Sequence, residues 1–208
     1  MLLELIPSDA SSPLSVSERD LAALAACERG TILLDVSARA DATLMALTGT
    51  NGRIALELRG GRLYGEQVLG PDGSPAAGDG VERRVLDAED ALGLDDGHPH
   101  TIALSVNETG THLYADGYEC FSTTLTAFLS QIGLTGVSID PDGIAEVTRL
   151  AAWAEPLSDR AVMAQSLAAT PMVQFAASAL SARDARRTGA HTSMKGSVSD
   201  ESAPGRIR

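Results

Sequence analysis

Apolar residues recur with a period of two through most of the chain's middle and with a helical period only near its ends. Thr31–Ala38, Ala42–Thr48, Arg53–Arg59 and Arg62–Val68 are short runs rich in Ile, Leu and Val. Asn51-Gly52 and Gly60-Gly61 separate members of this set and reach φ > 0 at little steric cost, so both predict tight hairpin turns. Residues 70–80 form a Gly/Pro/Asp loop, and an acidic stretch runs from Asp87 to Asp96. Strand patterns resume with Thr101–Val106, Thr111–Ala115 and Tyr118–Thr123, the last two joined by Asp116-Gly117. Val137–Ile139 and Glu146–Trp153 close the set around the turn Asp140-Pro141-Asp142-Gly143. Strands at this spacing, roughly every eight to twelve residues, predict an all-β antiparallel sandwich.

Helical patterns flank it. Residues 1–16 read as an irregular lead-in, after which Ser17 caps a short helix that ends before Gly30. Ser158 caps a second helix running to Ala169, and Pro171 can start a third to about Arg187. From Thr188 onward apolar residues are too sparse to fold alone. The expected organisation is 1–29 lead-in and helix, 30–157 sandwich, 158–187 helical linker and 188–208 tail.

Composition narrows the function. The 208 residues are 44% hydrophobic and carry a net charge of −12, which argues against a nucleic-acid partner because phosphates call for a basic footprint. Residues 181–208 hold six basic and three acidic groups, so residues 1–180 carry −15. Lys195 is the single lysine, leaving arginine as the general cation. No apolar run approaches the ~18 residues of a membrane span, and no membrane partner is expected. The N-terminus has no basic region and carries Glu4 inside its apolar patch, so it is not a signal peptide as written. That points to the cytoplasm, or to a secreted parent if the chain is a fragment. Cys27 and Cys120 show no metal or redox spacing and read as free buried thiols, with one disulfide as the alternative.

Catalytic and cofactor signals are weak. Glu57 and Glu66 fall on different strands, and Asp87, Glu89, Asp90, Asp95 and Asp96 read as a solvated loop, so no acid pair for glycosidic cleavage emerges. His98 and His100 point the same way on an extended segment and His112 lies on the next strand, a zinc arrangement lacking further support. Asp140 and Asp142 offer hard oxygens for calcium without the spacing of a calcium loop. Phosphate-loop, dinucleotide and nucleophile-elbow motifs are missing, so no cofactor is expected. Asn107-Glu108-Thr109 is a glycosylation sequon in a hairpin loop.

One segment stands out. Along Arg53–Arg59, side-chain alternation puts Arg53, Ala55, Glu57 and Arg59 on one face, with Ile54, Leu56 and Leu58 packing inward. A glutamate beside an arginine can hold the guanidinium in place to meet a carboxylate bidentately. The same pattern also describes a solvated strand face with screened ion pairs.

The run from Gly30 to Asp159 resembles the laminin-G/concanavalin-like jelly rolls, and more closely the N-terminal lectin-like domain of bacterial sialidases. The matching pieces are GTILLDVSARADATLMALTG (30–49), RIALELRGGRLYGE (53–66), HTIALSVNETGTHLYADGYECFS (100–122) and EVTRLAAWAEPLSD (146–159). The resemblance implies a non-catalytic module that binds terminal sialic acid beside a separate catalytic domain, with a sialylated glycan as partner. Its Glu-x-Arg element falls on Glu57 and Arg59, the arginine meeting the sugar carboxylate. The family usually adds a second Arg and a Tyr from the stretch before the closing strand, but Gly133–Gly143 holds neither. Arg53 or Arg149, and Tyr64 or Tyr118, are the candidate replacements. Residues 202–208 resemble the approach to a sialidase catalytic domain, which opens with an Arg-Ile-Pro motif whose Arg Arg208 would be.

Three readings follow, in this order: a sialic-acid-recognising module of an exo-α-sialidase, a protein-interaction jelly roll with a decayed sugar site, and an autonomous jelly-roll glycoside hydrolase or lyase. The third needs two acids in one groove.

Overall fold

A computed structural model describes residues 1–7, 14–70, 82–88 and 92–169. The expected 70–80 loop, the helix from Pro171 and the 188–208 tail with Arg208 lie outside the described residues, save for Gly70. The strands are β1 (Leu3–Leu5), β2 (Gly30–Ser37), β3 (Ala42–Gly49), β4 (Gly52–Arg59), β5 (Arg62–Leu69), β6 (Glu82–Asp87), β7 (His100–Val106), β8 (Thr111–Ala115), β9 (Tyr118–Thr123), β10 (Leu134–Ile139) and β11 (Glu146–Trp153). The helices are α1 (Glu18–Ala25), α2 (Leu129–Ile132) and α3 (Asp159–Ala169).

Two antiparallel sheets, ordered β1-β11-β2-β7-β8-β9 and β10-β3-β4-β5-β6, pack face to face. The predicted β-sandwich is what forms. Alternation drives it: Ile54, Leu56 and Leu58 of β4 meet Ile32, Leu34 and Val36 of β2 and Ile102, Leu104 and Val106 of β7 in one core. Gln67 crosses that core, its Nε2 donating to Thr111 Oγ1 and to the Ala127 carbonyl, both at 3.0 Å. The buried amide is thereby tied to the opposite sheet.

The caps behave as their residues demand. Ser17 Oγ accepts the Asp20 N–H at 3.2 Å at the start of α1, and Ser158 Oγ accepts the Ala161 N–H at 3.3 Å at the start of α3. Helix α3 lies on the outer face of the six-stranded sheet, where Val162 joins Leu33, Ala103 and Tyr114. Leu33 and Ala103 point away from the main core, and α3 supplies the cover they need. Among the described residues no helix is long and apolar enough to cross a membrane.

Three elements depart from expectation. The lead-in is partly ordered, because Leu3–Leu5 pair with Leu150–Ala152 as an edge strand. Strand β6 extends the five-stranded sheet beyond β5, and the four-residue α2 precedes β10.

Candidate functional site

The Gly60-Gly61 turn sets the site's register. Both glycines adopt positive φ, at 57° and 72°, and the Asp41 carboxylate accepts the Gly60 N–H at 2.6 Å. Across this turn Arg59 stands opposite Arg62, Glu57 opposite Tyr64, and Ala55 opposite Glu66. Because directly opposed residues share a face, these side chains all lie on the outside of the five-stranded sheet. Thr43 flanks Glu57 on one side and Asp87 flanks Tyr64 on the other.

Glu57 and Arg59 form the ion pair their spacing suggests. The Arg59 Nε and Nη2 donate to one oxygen, Glu57 Oε2, at 2.7 and 2.6 Å. The Arg59 guanidinium also stacks over the Tyr64 ring, 3.7 Å from its centroid. A ring on one side and a carboxylate on another hold the guanidinium plane, with part of its edge turned to solvent. A planar, half-exposed guanidinium suits bidentate recognition of a carboxylate ligand.

Arg53 stands apart. Six residues along β4, or ~20 Å of strand, separate it from Arg59, and its Nη2 donates to Glu66 Oε2. Glu66 is 5% exposed while the Arg53 side chain is 37% exposed, so the carboxylate is the desolvated partner of the pair. The structure brings Glu57 and Glu66 onto one face of adjacent strands, as diagonal neighbours. Each is bonded to a guanidinium rather than facing an apolar wall, so neither is placed as a glycosidase proton donor.

The alternative residues sit on the other sheet. Arg149 donates from Nε to Glu4 Oε1 at 2.9 Å and from Nη2 to Gln165 Oε1 at 2.8 Å, with its Nη1 3.5 Å from Asp35 Oδ2. Burial pushes the Asp35 carboxyl up. Tyr118 begins β9. Neither belongs to the sheet that carries Arg59. Arg62, which sequence reasoning passed over, is the second guanidinium at the turn, and the two-residue hairpin count was the signal for it.

His100 sits between two acids, its Nδ1 2.9 Å from Asp116 Oδ2 and its Nε2 3.1 Å from Asp96 Oδ1. His112 Nδ1 lies 3.2 Å from Glu119 Oε2. The histidines therefore have separate partners, and among the described residues no group of three His, Cys, Asp or Glu is placed to hold a metal ion. Asp140 Oδ1 accepts the N–H groups of Ile144 and Ala145, both at 3.0 Å, and works as a turn residue. Cys27 and Cys120 are both free thiols.

No family model matches the chain, and no curated protein does. Solved structures do. The CBM40 of the Ruminococcus gnavus IT-sialidase is similar over 80% of this chain and 99% of its own, at 18% identity and a TM-score of 0.57. The same module bound to α2,3 sialyllactose aligns over 79% of this chain and 98% of its own, at 17% identity and a TM-score of 0.55. A NanB sialidase from Streptococcus pneumoniae aligns over 78% of this chain but 27% of its own length, at 17% identity and a TM-score of 0.57. The chain has the sandwich fold of these sialidase carbohydrate-binding modules.

Proposed function

We propose that this chain is a non-catalytic carbohydrate-binding module that recognises the carboxylate of terminal sialic acid, of the kind that accompanies a sialidase catalytic domain. The observation that carries the reading is the arrangement of Arg59, held by Glu57 and stacked on Tyr64, on the outer face of the five-stranded sheet. Arg62 supplies a second cation directly opposite Arg59 across the turn. The fold likeness supports it, since the Ruminococcus gnavus module was solved with α2,3 and α2,6 sialyllactose.

An NMR titration tests this. 3′-Sialyllactose is expected to shift amide signals along residues 57–64, lactose is not, and Arg59→Ala is expected to abolish the response. No shift at about 10 mM ligand, a concentration that detects even millimolar binding, would overturn it. The protein-interaction reading would then stand in its place. It is favoured by β10, which carries no Arg or Tyr to complete a sugar site.

A further inference from the structure

Where β2 ends and β11 begins, an open cleft of about 300 Å³ lies at the margin of the six-stranded sheet. That volume is at the lower end of small-molecule sites. Val36 and Ala38 face the core, so Ser37 between them faces out. Glu146 stands directly opposite Ser37, and its side chain leaves the same face. Ala145 is buried in the core as Ala38 is, while the adjacent Arg39 and Ile144 are exposed and line the cleft. Backbone bonds fix both walls. The Gly97 N–H donates to the Ala38 carbonyl at 2.8 Å, and Asp140 Oδ1 accepts the N–H groups of Ile144 and Ala145 at 3.0 Å. Gly97 has a φ of 81°, and a Cβ there would stand 2.9 Å from Arg39 Nε and 3.0 Å from its Cγ. The arginine side chain therefore rests on bare backbone.

Arg39 and Glu146 are the charged members of the described lining. Among the described residues neither forms an ion pair, with the other or with a third group, whereas Arg29, Arg53, Arg59 and Arg149 all do. We propose that this cleft binds a small zwitterion, a free α-amino acid with an aliphatic side chain. Its carboxylate would meet the Arg39 fork, which suits a planar two-oxygen group. Its ammonium would meet the Glu146 carboxylate and the Ser37 hydroxyl, both acceptors. Its side chain would lie along Ile144, which is 50% exposed. Two unmatched charges of opposite sign in one cleft favour a ligand that carries both, because a singly charged one leaves its second group unanswered. Such a ligand has no net charge, so the molecule's −12 neither draws nor repels it at long range. Recognition is local.

The proposal stands apart from the sugar reading, since none of its residues belongs to β4 or β5. Its test is an NMR titration of the whole chain with L-leucine. The controls are 4-methylpentanoate, which lacks the ammonium, and 3-methylbutylamine, which lacks the carboxylate. Leucine is expected to shift the Ala38, Gly97 and Ala145 amides and to bind about fivefold more tightly than either control. Arg39→Gln and Glu146→Gln, both at exposed positions without an ion pair to lose, are each expected to weaken leucine binding about fivefold. Arg59→Ala is expected to leave it unchanged, which separates this cleft from the sugar face. A control that binds as tightly as leucine would overturn the proposal, because one charge would then suffice. So would no response at about 10 mM leucine, or unchanged affinity in either cleft variant.

Discussion

Arg59 and Arg62 face each other directly across the Gly60-Gly61 turn, and like charges so placed cost stability. A bound carboxylate between them would offset that repulsion. Arg62→Gln is therefore expected to weaken binding of sialyllactose. Paired thermal melts and titrations check this; lower stability with unchanged affinity would assign Arg62 a structural role instead. Strand alternation alone made the shared face of Arg53, Ala55, Glu57 and Arg59 legible. The turn count also places Tyr64, Arg62 and Glu66 on that face, yet the bond between Arg53 and Glu66 is a diagonal pairing that reading single strands does not reveal. Residues distant in sequence, such as Arg149 with Glu4 and Asp35, were illegible because only the sheet order brings them together. His100 makes a separate residue-scale case. The Asp116 hydrogen bond, aided by Asp96, raises its pKa above the ordinary 6.5 despite opposing burial, since two acceptors on both ring nitrogens favour the imidazolium. A raised folded value means that the contribution to stability is complete below 6.5 and is lost as pH climbs through the folded pKa. The melting-temperature gap between wild type and His100→Gln should thus be wider at about pH 5.5 than at about pH 8.5. A gap independent of pH would mean that only neutral hydrogen bonds are lost.

Hairpins were the most legible elements, because Asn51-Gly52, Gly60-Gly61 and Asp116-Gly117 allow few backbone alternatives and each lies between alternating runs. Strand β6 was hidden for a physical reason. It is an edge strand whose Leu86 is buried and Val85 46% exposed, and the rest of its sequence, Glu82, Arg83, Arg84 and Asp87, is charged, so no alternating apolar pattern marks it. Such charge is what an exposed sheet edge requires. β1 and α2 are simply too short, at three and four residues, for periodicity to register. The continuous apolar run of β2 reflects burial on both faces, with the inner one in the main core and Leu33 under α3. Helix α3 is therefore structural cover for the outer face of the six-stranded sheet. Tyr114 reinforces it, donating its hydroxyl to Asp159 Oδ1 at 2.9 Å. Leu33→Ala is expected to destabilise the fold by about 2–5 kcal/mol, measurable by urea unfolding. A cost below about 1 kcal/mol would mean that α3 packs too loosely to leave a cavity.

At the scale of the whole molecule, the charge distribution opposes the approach of the proposed sugar ligand. Residues 1–180 carry −15, and Arg59 and Arg62 sit within that field with Glu57, Asp41 and Asp87 close by. A sialylated sugar approaches against the long-range field and gains only at contact, where Arg59 is held by Glu57. Raising ionic strength from about 0.01 to 0.15 M shortens the screening length from ~30 to ~8 Å. Screening removes repulsion and attraction alike, while leaving the contact geometry in place. The on-rate for sialyllactose should therefore rise with salt, as read from NMR line shapes across the salt series. The off-rate should increase as well, because the ligand leaves a charged partner. An on-rate that falls with salt would show that local charges around the site, rather than the acidic surface as a whole, govern the approach.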